Sequence, residues 1–277
     1  MVMERKDGKM SAESVLRRME KWMGGAVKGK DIQREAQELV YDAWEAADAD
    51  EAFNLLSQAV ELDQANVDAW IGLMDFEPLE DEERIAILRK LVAMGEKNLG
   101  TNIFKEDKGH FWGLLETRPY MRARSQLALH LMELGRFEES IAEHEGMLEL
   151  NPNDNQGVRY GLMACYLAVS RLDGARRLFK QYNERKYSAV WDWAYVLERF
   201  LSGEMKEAEK ALQAARKQNP HVQAYFLEHR KPPKSMPDSY SIGSREEAII
   251  AWDILRHAWK KHPDAQVWLK AQKSRED

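Results

Sequence analysis

Arginine and aromatic side chains crowd one part of this 277-residue chain. From His110 the sequence runs HFWGLLETRPYMRAR, which brings His110, Trp112, Glu116, Arg118, Tyr120, Arg122 and Arg124 close together along the chain. Asn153, Asp154, Asn155, Arg159 and Tyr160 follow downstream. Guanidinium groups fork onto carboxylates and phosphates, and aromatic rings offer an apolar floor. With Arg118, Arg122, Arg159 and Tyr160 facing one cavity, and His110, Trp112, Tyr120 and Asn155 beside them, the expected site is a clamp for an acidic peptide segment or a C-terminus. The same residues also suit salt bridges between neighbouring helices, with Glu116, Glu133 and Asp154 as partners. A third use is a grip on a phosphate or carboxylate, as in a small-ligand sensor or an enzyme.

Other chemistries find less support. The histidines His110, His130, His144, His221, His229, His257 and His262 lack metal-ligand spacing, and neither HLMEL nor HEGM is a zinc-protease motif. His257 and His262 are expected at the surface, and His130 and His144 as neighbours across one turn. There is no Gly-rich phosphate loop, nucleophile elbow or triad pattern. Cys165, the one cysteine, lies in LMACYL and reads as a small buried hydrophobe. The pairs Glu82-Glu83, Glu138-Glu139 and Glu246-Glu247 read as helix-start charges. The expectation is therefore no catalytic residues, no metal and no cofactor.

The elements that position the arginines repeat. RARSQLALHLMELGRFEESIAEHEGMLELNP carries apolar residues at helical spacing, a break at Gly135, a second helical pattern and a stop at Asn151-Pro152. Ala128 and Ser140 fall where two helices must approach closely. Small residues recur in register at Ala52, Ala86, Ser140, Ala175 and Ala208. Ala52 to Ala86 spans 34 residues, Ser140 to Ala175 spans 35 and Ala175 to Ala208 spans 33. A helix–turn–helix unit of about 34 residues is the tetratricopeptide spacing. Trp70 takes the opening aromatic position of its repeat. The predicted fold is an all-α, right-handed tetratricopeptide-type solenoid of helical hairpins, with an inserted segment and a C-terminal capping helix.

Residues 1–30 are read as an N-terminal arm, with an amphipathic helix from Ser11 to Met23. Residues 31–277 form the repeat domain, with hairpins at about 33–66, 67–94, 121–155, 156–188 and 189–222. Ala86 to Ser140 is 54 residues, too long for one period, so 95–120 is an insert with partial helix near Phe111 to Leu115. Residues 223–277 form the cap: Pro232, Pro233 and Pro237 forbid a long helix, then Ser244 and Glu247 make a capping box. Ala248, Ala251, Trp252, Leu255 and Trp259 then cover the last repeat. Most tryptophans read as core, with Trp22, Trp112 and Trp268 partly exposed.

The net charge is −6, which opposes general nucleic-acid binding. No apolar run is long enough for a membrane span, and the N-terminus has no secretory pattern, so the cytoplasm is expected. The expected partner is a protein or peptide held in the concave groove or on the insert. A homo-oligomer through exposed Trp191 and Trp268 is the rival.

The closing segment resembles one family in particular. GHFWGLLETRPYMRAR, NPNDNQGVRY, NPHVQAYFLEHRKPP and GSREEAIIAW resemble a group of bacterial tetratricopeptide proteins similar to the suppressor of tumorigenicity seven family. Asn219-Pro220-His221-Val222, Tyr225, Leu227-Glu228, Gly243, Glu247-Ala248-Ile249 and Trp259 carry the likeness. It covers about Phe111 to Leu269 and implies a helical-repeat scaffold with no assigned reaction. The animal members have membrane-spanning flanks; no such span, and no membrane role, is expected from this sequence.

Overall fold

The computed structural model describes residues 29–272. The expected arm helix at Ser11–Met23, and Trp22 with it, lies outside them. Among the described residues all regular structure is helical. Five hairpins follow in order: α1 (Lys30–Trp44) with α2 (Ala49–Leu62), α3 (Val67–Met74) with α4 (Asp81–Glu106), α5 (Arg118–Glu133) with α6 (Phe137–Leu150), α7 (Val158–Ala168) with α8 (Leu172–Gln181), and α9 (Ala189–Leu201) with α10 (Met205–Gln218). Three further helices close the described chain: α11 (Val222–Phe226), α12 (Arg245–Lys261) and α13 (Pro263–Ala271).

Contacts divide the chain into two compact units, and the division passes through the α5–α6 hairpin. Of the described residues, the first holds 29–130 with Gly146–Gln156; the second holds Leu131–Glu145 with 157–272.

In the first unit α1 packs on α2, and α3 packs on both. That nearest-neighbour pattern is what a stacked hairpin array requires. Local signals start the helices. The Asp48 carboxylate accepts from the Asp50 and Glu51 amides, and Asn66 Oδ1 accepts from the Ala69 amide at 2.9 Å. The Trp70 indole is buried and its N–H donates to the Gln64 carbonyl at 3.0 Å.

The insert differs from expectation. Helix α4 does not stop near Met94 but runs on to Glu106, with one non-helical residue at Gly100 (φ 71°). Gly95 is a packing residue: a Cβ there would sit 3.1 Å from Tyr120 Cβ, so its absence lets α5 lie close. Two short 3₁₀ turns, Phe111–Gly113 and Leu115–Thr117, then lead into α5. The Thr117 hydroxyl ties them by donating to the Phe111 and Leu114 carbonyls. Phe111 is fully buried and packs with Phe104 and Tyr120, ring centroids 5.1 and 6.3 Å away.

In the second unit α7 packs on α8, α9 on α10, and α9 also on α7. Gly135, at φ 73°, ends α5 with a hydrogen bond from the Arg136 amide to the Leu131 carbonyl at 2.9 Å. Ser140, Ala175 and Ala208 are fully buried at their hairpin contacts, whereas Ala52 and Ala86 are half-buried. Gly161 faces His144 so closely that a Cβ would lie 2.6 Å from Nε2. His144 is buried and bonded to Ser140, so it cannot move away cheaply. Gly161→Ala is expected to cost about 1–3 kcal/mol through overpacking, read as a lower urea midpoint at unchanged slope.

Helix α12 does more than close the last repeat. Its buried face, Ala248, Ala251, Leu255, Ala258 and Trp259, packs on α7 and α9, the first helices of two successive hairpins, and on α11. Glu133 accepts from Arg256 and lies 3.2 Å from His257 Nε2, which holds α12 by its far end. His262 Nε2 is 2.8 Å from the Leu167 carbonyl. His257 and His262 are therefore half-buried contacts, not surface residues as expected.

Candidate functional site

The predicted site residues fall into three groups. Arg122 Nε donates to Asp68 Oδ1 at 2.8 Å, and its Nη2 bonds Oδ2. Asp68 is almost fully buried and also accepts from Gln37 Nε2 at 3.0 Å. Asn66 Nδ2 in turn donates to Gln37 Oε1 at 3.3 Å. The Arg122 guanidinium lies 5.2 Å from the Trp44 ring, and Trp44 packs on Tyr41 at 5.3 Å. Three first helices of the first unit, α1, α3 and α5, thus present one connected face.

The second group is the insert. Arg118 Nε donates to the Trp112 carbonyl at 3.0 Å while its guanidinium covers the Trp112 ring at 5.4 Å. Tyr120 is buried in the aromatic plug, and Arg124 Nη1 donates to its hydroxyl at 3.3 Å. His110 and Asn155 are exposed; Trp112 is half-buried, as expected.

The third group belongs to the second unit. Arg159 Nε donates to Glu184 Oε1 at 2.5 Å, and the Tyr160 hydroxyl donates to Glu184 Oε2. The Arg159 guanidinium lies 4.4 Å from the Tyr160 ring and 5.4 Å from the Tyr182 ring. Burial, and then the bond to Glu184, push the Tyr160 hydroxyl up to about 12. Both Arg122 and Arg159 therefore grip carboxylates of this chain, Asp68 and Glu184, and an incoming anion has to displace them. Neither carboxylate was among the three expected, because pairings 54 and 25 residues apart leave no local pattern.

Trp44, Tyr41 and Gln37 are the residues sequence reasoning missed. Trp44 is 54% exposed at the end of α1. Its signal was its place on the same helical stripe as Gln37 and Tyr41, away from the buried stripe Ala36, Val40 and Ala43. Leu129, 42% exposed, stands two turns along α5 from Arg122, on the same face. Trp191, whose exposure would have favoured a homo-oligomer, is fully buried against Tyr160 and Phe179.

His130 Nε2 lies 3.4 Å from Asp81, and His144 bonds Ser140. Among the described residues no cluster of His, Cys, Asp and Glu has a metal-site arrangement, and no helix is long and apolar enough to cross a membrane. Cys165 Sγ donates to Ser140 Oγ at 3.4 Å, and burial pushes its thiol up to about 12. The folded protein is expected to leave Cys165 unmodified by a disulfide reagent at neutral pH and to titrate one thiol once denatured. Rapid labelling of the native protein contradicts that burial.

Residues 122–192 match the family model of the tetratricopeptide repeat. The match begins on α5 and ends at the start of α9. No curated protein matches the chain. Among solved structures, the chain is similar to the crystal structure of YrrB, a TPR protein with an unusual peptide-binding site. The two are 18% identical, the likeness covers 75% of this chain and 93% of that one, and the TM-score is 0.42.

Proposed function

We propose that this chain is a non-enzymatic interaction scaffold that holds a peptide or protein segment on the first-helix face of its first unit. The observation that supports this reading most is Trp44. A tryptophan 54% exposed, packed against Arg122 and Tyr41, is the rigid aromatic anchor on which binding energy concentrates. Around it Arg122, Asp68, Gln37 and Asn66 bond one another, so the face needs no rearrangement to receive a ligand. Stacked helical repeats present such first-helix faces as extended binding surfaces. In the second unit α12 covers the corresponding helices α7 and α9, whereas among the described residues Trp44 on the α1–α3–α5 face stays exposed. Arg118, Trp112 and His110 extend that surface through the insert, over the buried Tyr120; Arg159 and Tyr160 bind Glu184 in the second unit. The likeness to the suppressor of tumorigenicity seven family fits a scaffold and adds no reaction.

Trp44→Ala tests this directly. Its exposure makes the stability cost small, whereas Arg122→Ala strands the buried Asp68 carboxylate and confuses binding with folding. Wild type and Trp44→Ala are used as baits in a native extract, and the retained protein is titrated against both. The expected result is a loss of affinity of about tenfold or more, at least about 1.4 kcal/mol, with the melting temperature almost unchanged. Equal retention by both baits refutes this face as the site.

A further inference from the structure

Resting on that reading of the Trp44 face, we infer that the segment it holds is basic: a Lys- or Arg-rich stretch of a partner protein that lays an apolar side chain on the indole. The charge around Trp44 carries the inference. Between Gly29 and Glu83, Lys30 and Arg34 are the only Lys or Arg, set against a long series of Asp and Glu. On α1 and its C-cap, Asp31, Glu35, Glu38, Asp42 and Glu45 recur at alternating spacings of four and three, which makes one helical stripe. All five are exposed. The stripe runs beside Gln37, Tyr41 and Trp44. Arg34 reaches Asp31 only at 4.0 Å, with both side chains almost fully exposed.

The end of α1 gives a separate observation. A helix C-terminus is the negative end of the backbone dipole and favours Lys, Arg or His. Helices α10 and α12 follow that rule with Arg216 and Lys217, and with Lys260 and Lys261. Helix α1 breaks it: Asp42 and Glu45 stand at its end, with no basic residue in the last turn. The last turns of α2, α3, α6 and α7 lack one as well. Like charges at the wrong end of a helix weaken it, and broken local rules concentrate at functional sites. A cation from outside removes the conflict. A Lys or Arg on the Trp44 ring adds cation–π attraction, and the negative field steers a basic segment to the face. The acidic segment or C-terminus expected from the arginines alone meets this field as a like charge.

The test uses labelled peptides of equal length that share one leucine and one tryptophan and differ in their remaining residues: lysine-rich, serine/glutamine-rich and glutamate-rich. Fluorescence anisotropy with the full chain is expected to rank the lysine peptide about tenfold tighter than the neutral one, with the advantage shrinking as salt rises. The triple variant Glu38→Gln/Asp42→Asn/Glu45→Gln removes that advantage, leaves the neutral peptide unaffected and melts no lower than wild type. Trp44→Ala weakens both peptides. Equal binding of lysine and neutral peptides, or tighter binding of the glutamate peptide, overturns the basic partner; so does a triple variant that keeps the lysine preference. If Trp44→Ala still weakens binding in those cases, the face stands and only its partner class falls. Binding of none of the peptides, or self-association that needs Trp44 and resists competition by the lysine peptide, also overturns it, the latter making a second copy of this chain the occupant.

Discussion

Replacing Trp259 by alanine is expected to lower the unfolding free energy by about 3–5 kcal/mol, the usual range for emptying a buried aromatic site. Trp259 is fully buried on α12. Its ring stacks on Phe226 at 4.9 Å with an interplanar angle of 24°, and meets Trp193 edge-on at 6.2 Å. Three rings from α9, α11 and α12 thus share one contact, and no flexible side chain among them can fill the hole. Trp259→Phe keeps most of the ring contact and is expected to lose much less. Urea unfolding followed by far-ultraviolet circular dichroism reads both. A loss below about 1 kcal/mol for the alanine variant contradicts the packing of α12 on the second unit's first helices, and with it the reason for placing the partner on the first unit.

The second large effect is expected at Glu247. Its buried carboxylate accepts from the Ala189 amide at 2.9 Å, Asn219 Nδ2 at 3.0 Å, Gln218 Nε2 at 3.1 Å and the Gly243 amide at 2.6 Å. The amide of Glu247 itself donates to Ser244 Oγ at 3.1 Å, which caps α12. The negative charge sits at the starts of both α9 and α12, where helix dipoles favour it. Glu247→Ala strands several donors at once. Each unsatisfied buried group costs about 1–3 kcal/mol, so a total loss of about 3 kcal/mol or more is expected. One term runs the other way. Burial, and more weakly the Glu247 charge, hold the Asp192 carboxyl above its ordinary range, so removing Glu247 relieves Asp192. That relief is the smaller, because burial is the leading cause of the Asp192 shift. Glu247→Gln keeps one acceptor oxygen and is expected to fall between wild type and alanine. A Glu247→Ala protein as stable as wild type contradicts the network.

The hairpins were legible because their signals are local. Gly135, Asn151-Pro152 and the small residues Ser140, Ala175 and Ala208 act within one turn of helix or one hairpin contact. The capping box at Ser244 was read from four consecutive residues; the Glu247 side chain then took its bonds from Gly243 and from residues far along the chain. The insert was set at 95–120 from the excess spacing alone, but residue 95 lies within α4, where Gly95 makes a close contact with Tyr120. The arginines were recognised as engaged groups, but their partners were not. Asp68 and Glu184 are specified by how hairpins stack, not by spacing along the chain. Trp44 was overlooked for a related reason: tryptophan is usually core, and exposure becomes visible only when the neighbouring helix face is in place.

The central claim is that the first-helix face of the first unit receives the partner while α12 occupies that of the second. Photo-crosslinking tests it most directly. Benzoylphenylalanine is placed at Leu129, on the Arg122 face of α5, and separately at Lys260, exposed on α12, and each protein is irradiated with the captured partner. A crosslink is expected at position 129 that disappears in the Trp44→Ala background, and none at position 260. A partner crosslinked at 260, or at 129 regardless of Trp44, contradicts it.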